Sequence, residues 1–122
     1  MTPDQLIQQL NQQPVDFQQV IQVIDQHYDF TPTRFHNGDQ VNEANTNNGS
    51  CKILAFGQLH QLNEQATLNA FGDFYTRDVL QNPEGKDHQN IRNFMKTGWS
   101  GVQFDGQAFA VIRSKSRKSP PD

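Results

Sequence analysis

Ser50-Cys51-Lys52-Ile53-Leu54-Ala55-Phe56-Gly57-Gln58-Leu59-His60-Gln61-Leu62 is the stretch whose reading decides the fold. Apolar residues occupy nearly every side of the helix it would form, and a helix apolar all round is buried. Ser50 is placed to cap it. The rest of the chain must then wrap this rod, which implies one core and one domain at 122 residues.

Upstream, Thr2-Pro3 with Gln5 spells an N-cap, a first-turn proline and a capping-box partner, followed by Leu6, Ile7 and Leu10 on one stripe. Pro14 closes that helix. Asp16 caps the next, with Gln19 at the box position and Val15 positioned to staple on Val20. Phe17, Val20, Ile21, Ile24 and Tyr28 then recur at helical spacing. Residues 30 to 49 lose that period, gain Pro32, two glycines and many asparagines, and read as a loop or short edge strands.

Downstream, Leu68, Phe71, Tyr75 and Val79 form the stripe of a helix predicted over 66 to 80. Ala55-Phe56-Gly57 has an echo at Ala70-Phe71-Gly72. Two glycines inside helices suggest that the two rods cross near Gly57 and Gly72. Asp87 is expected to cap a helix bearing Ile91, Phe94 and Met95. Gly98 ends it in the left-handed C′ position and Trp99 folds back on Phe94. Asp105-Gly106 between Val102-Gln103-Phe104 and Gln107-Ala108-Phe109 carries the signature of a two-residue hairpin. The expected fold is α+β: a mainly helical single domain of about five helices with a small antiparallel sheet or hairpin.

Composition excludes several functions. The net charge is −3, yet residues 113–122 hold four basic residues and one acid, so the first 112 carry −6. An acidic body repels a phosphate backbone and the basic end reads as a solvated, disordered tail, so no nucleic-acid partner is expected. No run of about 18 apolar residues is present, and no membrane partner is expected. The N-terminus lacks the basic and apolar regions of a secretory signal, which places synthesis in the cytoplasm. One cysteine cannot form an internal disulfide. His27, His36, His60 and His88 are scattered, with no i, i+4 pair, so neither a metal nor a cofactor is implied, His36 with Asp39 being the nearest approach to a ligand pair.

The polar residues of chemical interest gather at helix ends. Cys51, in a first helical turn beside Lys52, and His88, in another first turn, are the candidate nucleophile and base, because only the thiolate attacks and a positive helix end stabilises it. The plainer reading is a core cysteine and a histidine near a cap. A second candidate is an anion or small-ligand site built from Asn47-Asn48-Gly49, Ser50 and Lys52, with Arg77 or Arg92 adding a planar fork. Its plainer reading is a turn and a cap. Tyr75, Asp78, Asn90 and Arg92 complete the candidate ligand-binding set, and Asp78 is expected to pair with Arg92 or Arg34.

Phe30-Thr31-Pro32-Thr33, Asn48-Gly49-Ser50-Cys51-Lys52-Ile53, Thr67-Leu68 with Phe71-Gly72, Tyr75 with Asp78-Val79-Leu80, Asp87-His88-Gln89-Asn90-Ile91-Arg92-Asn93-Phe94-Met95 and Gly98-Trp99 together resemble the HopJ family, over residues 2 to 109. The resemblance implies a bacterial protein, present in the bacterial cytoplasm and injected into a host cell by type III secretion. It implies no reaction. Two functions stay open: a binding protein that engages a host or bacterial protein through residues 30 to 49 and nearby helix ends, or a small enzyme or metabolite-binding domain with a pocket around Cys51 and His88.

Overall fold

The computed structural model describes residues 1–111. The basic segment 113–122, expected as a tail, lies outside the described residues. Five α-helices, α1 (Pro3–Leu10), α2 (Phe17–His27), α3 (Asn48–Leu59), α4 (Glu64–Asn69) and α5 (Gln89–Thr97), surround a single hydrophobic core. Five three-residue strands, β1 (Tyr28–Phe30), β2 (Phe35–Asn37), β3 (Gln40–Asn42), β4 (Val102–Phe104) and β5 (Phe109–Val111), lie at its edge.

The central helix is α3, in which Cys51 and residues 53–57 are all buried. It stops at Leu59, three residues short of expectation, because Gln61 takes φ 55°. The Leu62 N–H then bonds the Gly57 carbonyl at 2.9 Å and the Gln61 N–H bonds that of Gln58 at 3.3 Å. These two bonds make a Schellman ending. Leu62 returns to the core while Leu59 is left 47% exposed.

Local signals position α1 and α2 as read. Thr2 and Gln5 exchange both capping-box bonds. The Asp16 carboxylate accepts from the N–H groups of Gln18 and Gln19. The helix expected over 66 to 80 is instead broken. Helix α4 ends at Asn69, Gly72 adopts φ 57°, and Phe74–Val79 continue as a π-helical segment. The cause is a close approach: a Cβ on Gly72 would lie 2.7 Å from the Val15 carbonyl oxygen and 2.9 Å from the Phe17 nitrogen. Gly72 therefore packs on the α1–α2 connection and not on α3. Gly57 does sit where α3 meets α4, with Thr67 Oγ1 2.8 Å from the site of its missing Cβ.

The Asp105-Gly106 hairpin does not form. Strand β4 pairs antiparallel with β2, Phe35 opposite Phe104, and β2 also pairs with β3; β5 pairs with β1, Tyr28 opposite Val111. The Asp105 N–H donates to the Arg34 carbonyl, and its carboxylate accepts from Arg34 Nη1 at 2.7 Å. These bonds turn the chain through a corner between two small sheets.

Gly98 ends α5 with the expected positive φ, 59°, but as its C-cap and with ψ −153°, outside the left-handed C′ conformation expected for it. Trp99 then lies edge-on against Phe94 at 4.9 Å and donates its Nε1–H to the Leu62 carbonyl at 2.8 Å. No helix among the described residues is long and apolar enough to cross a membrane.

Candidate functional site

Helices α3 and α5 begin in the same unusual way. The residue before each first turn, Asn47 for α3 and His88 for α5, is left-handed, at φ 52°, ψ 45° and φ 51°, ψ 48°. Neither supplies a side-chain cap. A non-glycine residue in this region costs on the order of 1 kcal/mol, and such strain concentrates at functional positions.

Both helix starts differ from the expected caps. Ser50 is the third residue of α3, not its cap, because the helix starts at Asn48 and the Cys51 N–H already bonds the Asn47 carbonyl at 3.0 Å. Asp87 does not cap α5, because Arg92 Nη2 takes its carboxylate at 2.7 Å. Its pKa is held below the ordinary 3.8, first by that bond. Among the described residues, the N–H groups of Asn48, Gly49, Ser50, Gln89 and Asn90 have no hydrogen-bond partner.

Both starts open on one cleft of about 370 Å³. Asn47, Gly49, Ser50, His88, Gln89 and Asn90 form its polar side, and Phe17, Phe71, Phe74 and Ile91 its apolar side. Phe17 meets Phe74 edge-on at 5.1 Å, and a Cβ on Gly49 would be 2.8 Å from the Phe17 ring. Glycine thus lets the ring lie against the first turn of α3.

His88 is fixed from the far side. Its Nε2 lies 3.2 Å from Asp78 Oδ2 and 3.8 Å from Asp87 Oδ2, and its ring is 5.2 Å from that of Phe74. The π-helical segment carries both Asp78 and Phe74, so it sets the ring's position twice. π-Helical turns occur often beside functional sites.

Asparagines tie the two helix starts together. Asn90 Nδ2 donates to Asn42 Oδ1 at 2.9 Å and Asn42 Nδ2 returns a bond to Asn90 Oδ1 at 3.1 Å. Asn37 Nδ2 donates to the side chain and the carbonyl of Asn90, and Asn47 Nδ2 to Asn42 Oδ1 at 2.7 Å. Asn37, Asn42 and Asn90 are buried. This lattice pins the β2–β3 hairpin to both α3 and α5, and explains why the asparagine-rich segment precedes the cleft.

Other sequence candidates lie elsewhere. Cys51 is buried, donates its thiol to the Thr33 carbonyl at 3.6 Å and does not line the cleft; burial pushes its pKa up, the reverse of an activated nucleophile. It shares no hydrogen-bond partner with His88. Lys52 Nζ pairs with Asp25 at 2.8 Å and lies over the Phe30 ring, away from the expected anion site. Tyr75 is buried, its hydroxyl accepting from Gln65. The Asp78 carboxylate is met by Arg77 and His88, not by Arg92 or Arg34. Arg34 instead holds Glu43 and Asp105. Arg92 donates to the carbonyls of Asp87, Asn82 and Asp78 and fastens the 82–87 turn onto α5.

Two features had no advance signal: the aromatic wall of Phe17 and Phe74, and the pairing of Tyr28 with His60. The Tyr28 hydroxyl and His60 Nε2 share a hydrogen bond; burial pushes the Tyr28 pKa up to about 12 and the His60 pKa down. Neither residue lines the cleft. Among the described residues, no group of three His, Cys, Asp or Glu side chains is placed to hold a metal ion.

A family model described as HopJ type III effector protein matches residues 3–109. Among solved structures, the chain is similar to one described as "Crystal structure of unknown function protein VPA0580". That likeness has 52% sequence identity and a TM-score of 0.86, and covers 88% of this chain and 92% of that one. No curated protein matches the chain.

Proposed function

The chain belongs to the HopJ type III effector family, and we propose that it acts by binding, with the cleft between α3 and α5 as a site for a small anionic ligand that carries an apolar group. The observation that carries this reading is the convergence of two uncapped helix starts on one partly apolar cavity. Unpaired N–H groups and the positive ends of two helix dipoles favour a carboxylate or phosphate. Phe17, Phe71, Phe74 and Ile91 take the apolar remainder. His88, held by Asp78 through Nε2, lines the polar side of the cleft.

Binding is preferred to catalysis because Cys51 is turned into the core and no second nucleophile is hydrogen-bonded to His88. In this reading the protein is made in a bacterial cytoplasm, delivered into a host cell, and engages a host or bacterial molecule there.

Ser50→Asp separates ligand binding from folding. A carboxylate at the third position of α3 satisfies the helix end itself and should raise stability by about 0.3–1 kcal/mol. It should also repel an anion. With phenyl phosphate and benzoate as probes, amide chemical shifts of Gly49, Ser50, Gln89 and Asn90 should move on titration and stay fixed in the variant. Still amides at millimolar probe in the natural chain, or equal titration of the variant, would overturn the reading. Untargeted mass spectrometry of small molecules released from protein purified from its native cell identifies the ligand.

A further inference from the structure

On another face of α5, we propose that a groove docks an acidic amphipathic helix of a partner protein. The groove, about 520 Å³, runs between α5 and the end of the π-helical segment, with Val79, Leu80, Pro83 and Met95 along it and Lys86 and Lys96 at its rim.

Two of its apolar side chains are unusually open. Leu80 is 47% and Met95 44% exposed. Methionine beside leucine makes an adaptable surface suited to peptide side chains. An acyl chain laid there would keep much of its surface in water, whereas a helix needs to insert only one apolar face.

Charge selects the partner. Arg34, Lys52, Arg77 and Arg92 each pair with a carboxylate. Lys86 and Lys96 are the remaining two lysine or arginine side chains among the described residues, neither makes an ion pair, and both line this groove. Glu84, exposed in the adjoining turn, pairs with neither. Lys96 sits in the last turn of α5, where the helix dipole favours a cation. Lys86 precedes the first turn, where the dipole opposes one, so its charge serves something other than α5. On a body of net negative charge these two ammonium groups are a local exception.

Lys86 stands three residues before α5 and Lys96 within its last turn. The helical part of the path between them, Gln89 to Lys96, rises roughly 10 Å. A partner helix would therefore present acids at least about two turns apart, with apolar residues at i, i+3 or i+4, and i+7 between them.

The test is a phage-displayed library of 16-residue peptides panned against the full chain, followed by fluorescence polarisation with the enriched peptides. Peptides of that acidic pattern should be enriched, and should move the amides of Val79, Leu80, Met95 and Lys96. The double variant Lys86→Glu, Lys96→Glu should bind them about tenfold more weakly, since two attractive rim contacts become repulsive. Lys86→Gln, Lys96→Gln serves if the reversal fails to fold. Enrichment without an acidic preference, unchanged affinity in the variant, or binding of phosphatidylglycerol vesicles but of no acidic peptide would each overturn the proposal.

Discussion

Replacing Gly98 with alanine should remove a large part of the protein's stability, for two reasons that can be measured apart. The residue sits at φ 59°, ψ −153°, a region that is essentially glycine-only and costs another residue about 1–3 kcal/mol. A Cβ there would also lie 1.9 Å from Glu64 Oε2. That carboxylate accepts the Trp99 N–H at 3.2 Å, so driving it away forfeits a bond worth about 1 kcal/mol. The expected total is about 2–4 kcal/mol, or a fall of roughly 10 °C in Tm for a domain of this size. Urea denaturation followed by circular dichroism measures it. Repeating Gly98→Ala in a Glu64→Ala background, where the carboxylate is already gone, should retain the backbone cost and lose the rest. If Gly98→Ala unfolds within about 0.5 kcal/mol of the natural chain, the conformational argument fails.

Other substitutions test the remaining assignments. Cys51 should resist a thiol reagent at neutral pH until the protein unfolds, and His88→Ala should leave the rate unchanged; rapid alkylation slowed by that change would restore the thiol-enzyme reading. Arg92→Ala should destabilise by about 3 kcal/mol, since three carbonyls lose a donor at about 1 kcal/mol each, and a normal denaturation midpoint would show that the 82–87 turn holds itself. The Asp87 pKa is depressed on folding, chiefly by Arg92, so its contribution to stability is present above its ordinary value of 3.8 and lost as pH falls through the lower folded value. Asp87→Asn should therefore lower Tm near neutrality and converge with the natural chain in acid, whereas parallel Tm curves down to pH 2 would contradict the linkage.

The elements legible in the sequence are those whose partners lie within a few residues. Thr2 and Gln5 cap each other, Asp16 caps its own helix, and Gly98 with Trp99 closes α5 against Phe94. Where a distant group takes the local partner, the reading fails. Asp87 has the chemistry of a cap but is held by Arg92, and Asp105-Gly106 has the chemistry of a hairpin but is turned aside by Arg34. Gly72 meets Val15 to Phe17 and not α3, because the chain that crowds it is more than fifty residues earlier.

The candidate site divides along the same line. Gly49, Ser50, His88 and Asn90 line the cleft because each stands at a helix start, the one property that short-range pattern reveals. Cys51 and Lys52 follow them directly but point elsewhere, since a helix turns each successive residue by about 100° and only some positions face a given side. Phe17 and Phe74 resemble any other core aromatics; what makes them walls of a cleft is the long-range meeting of α2 with the π-helical segment. The strained starts at Asn47 and His88 complete the argument. Neither left-handed residue is required by a local turn glycine, and both are held by the asparagine lattice or by Asp78. Capping either helix in the ordinary way would relieve that strain and also consume the donors that face the cleft. Their retention is the physical reason to look for a ligand there.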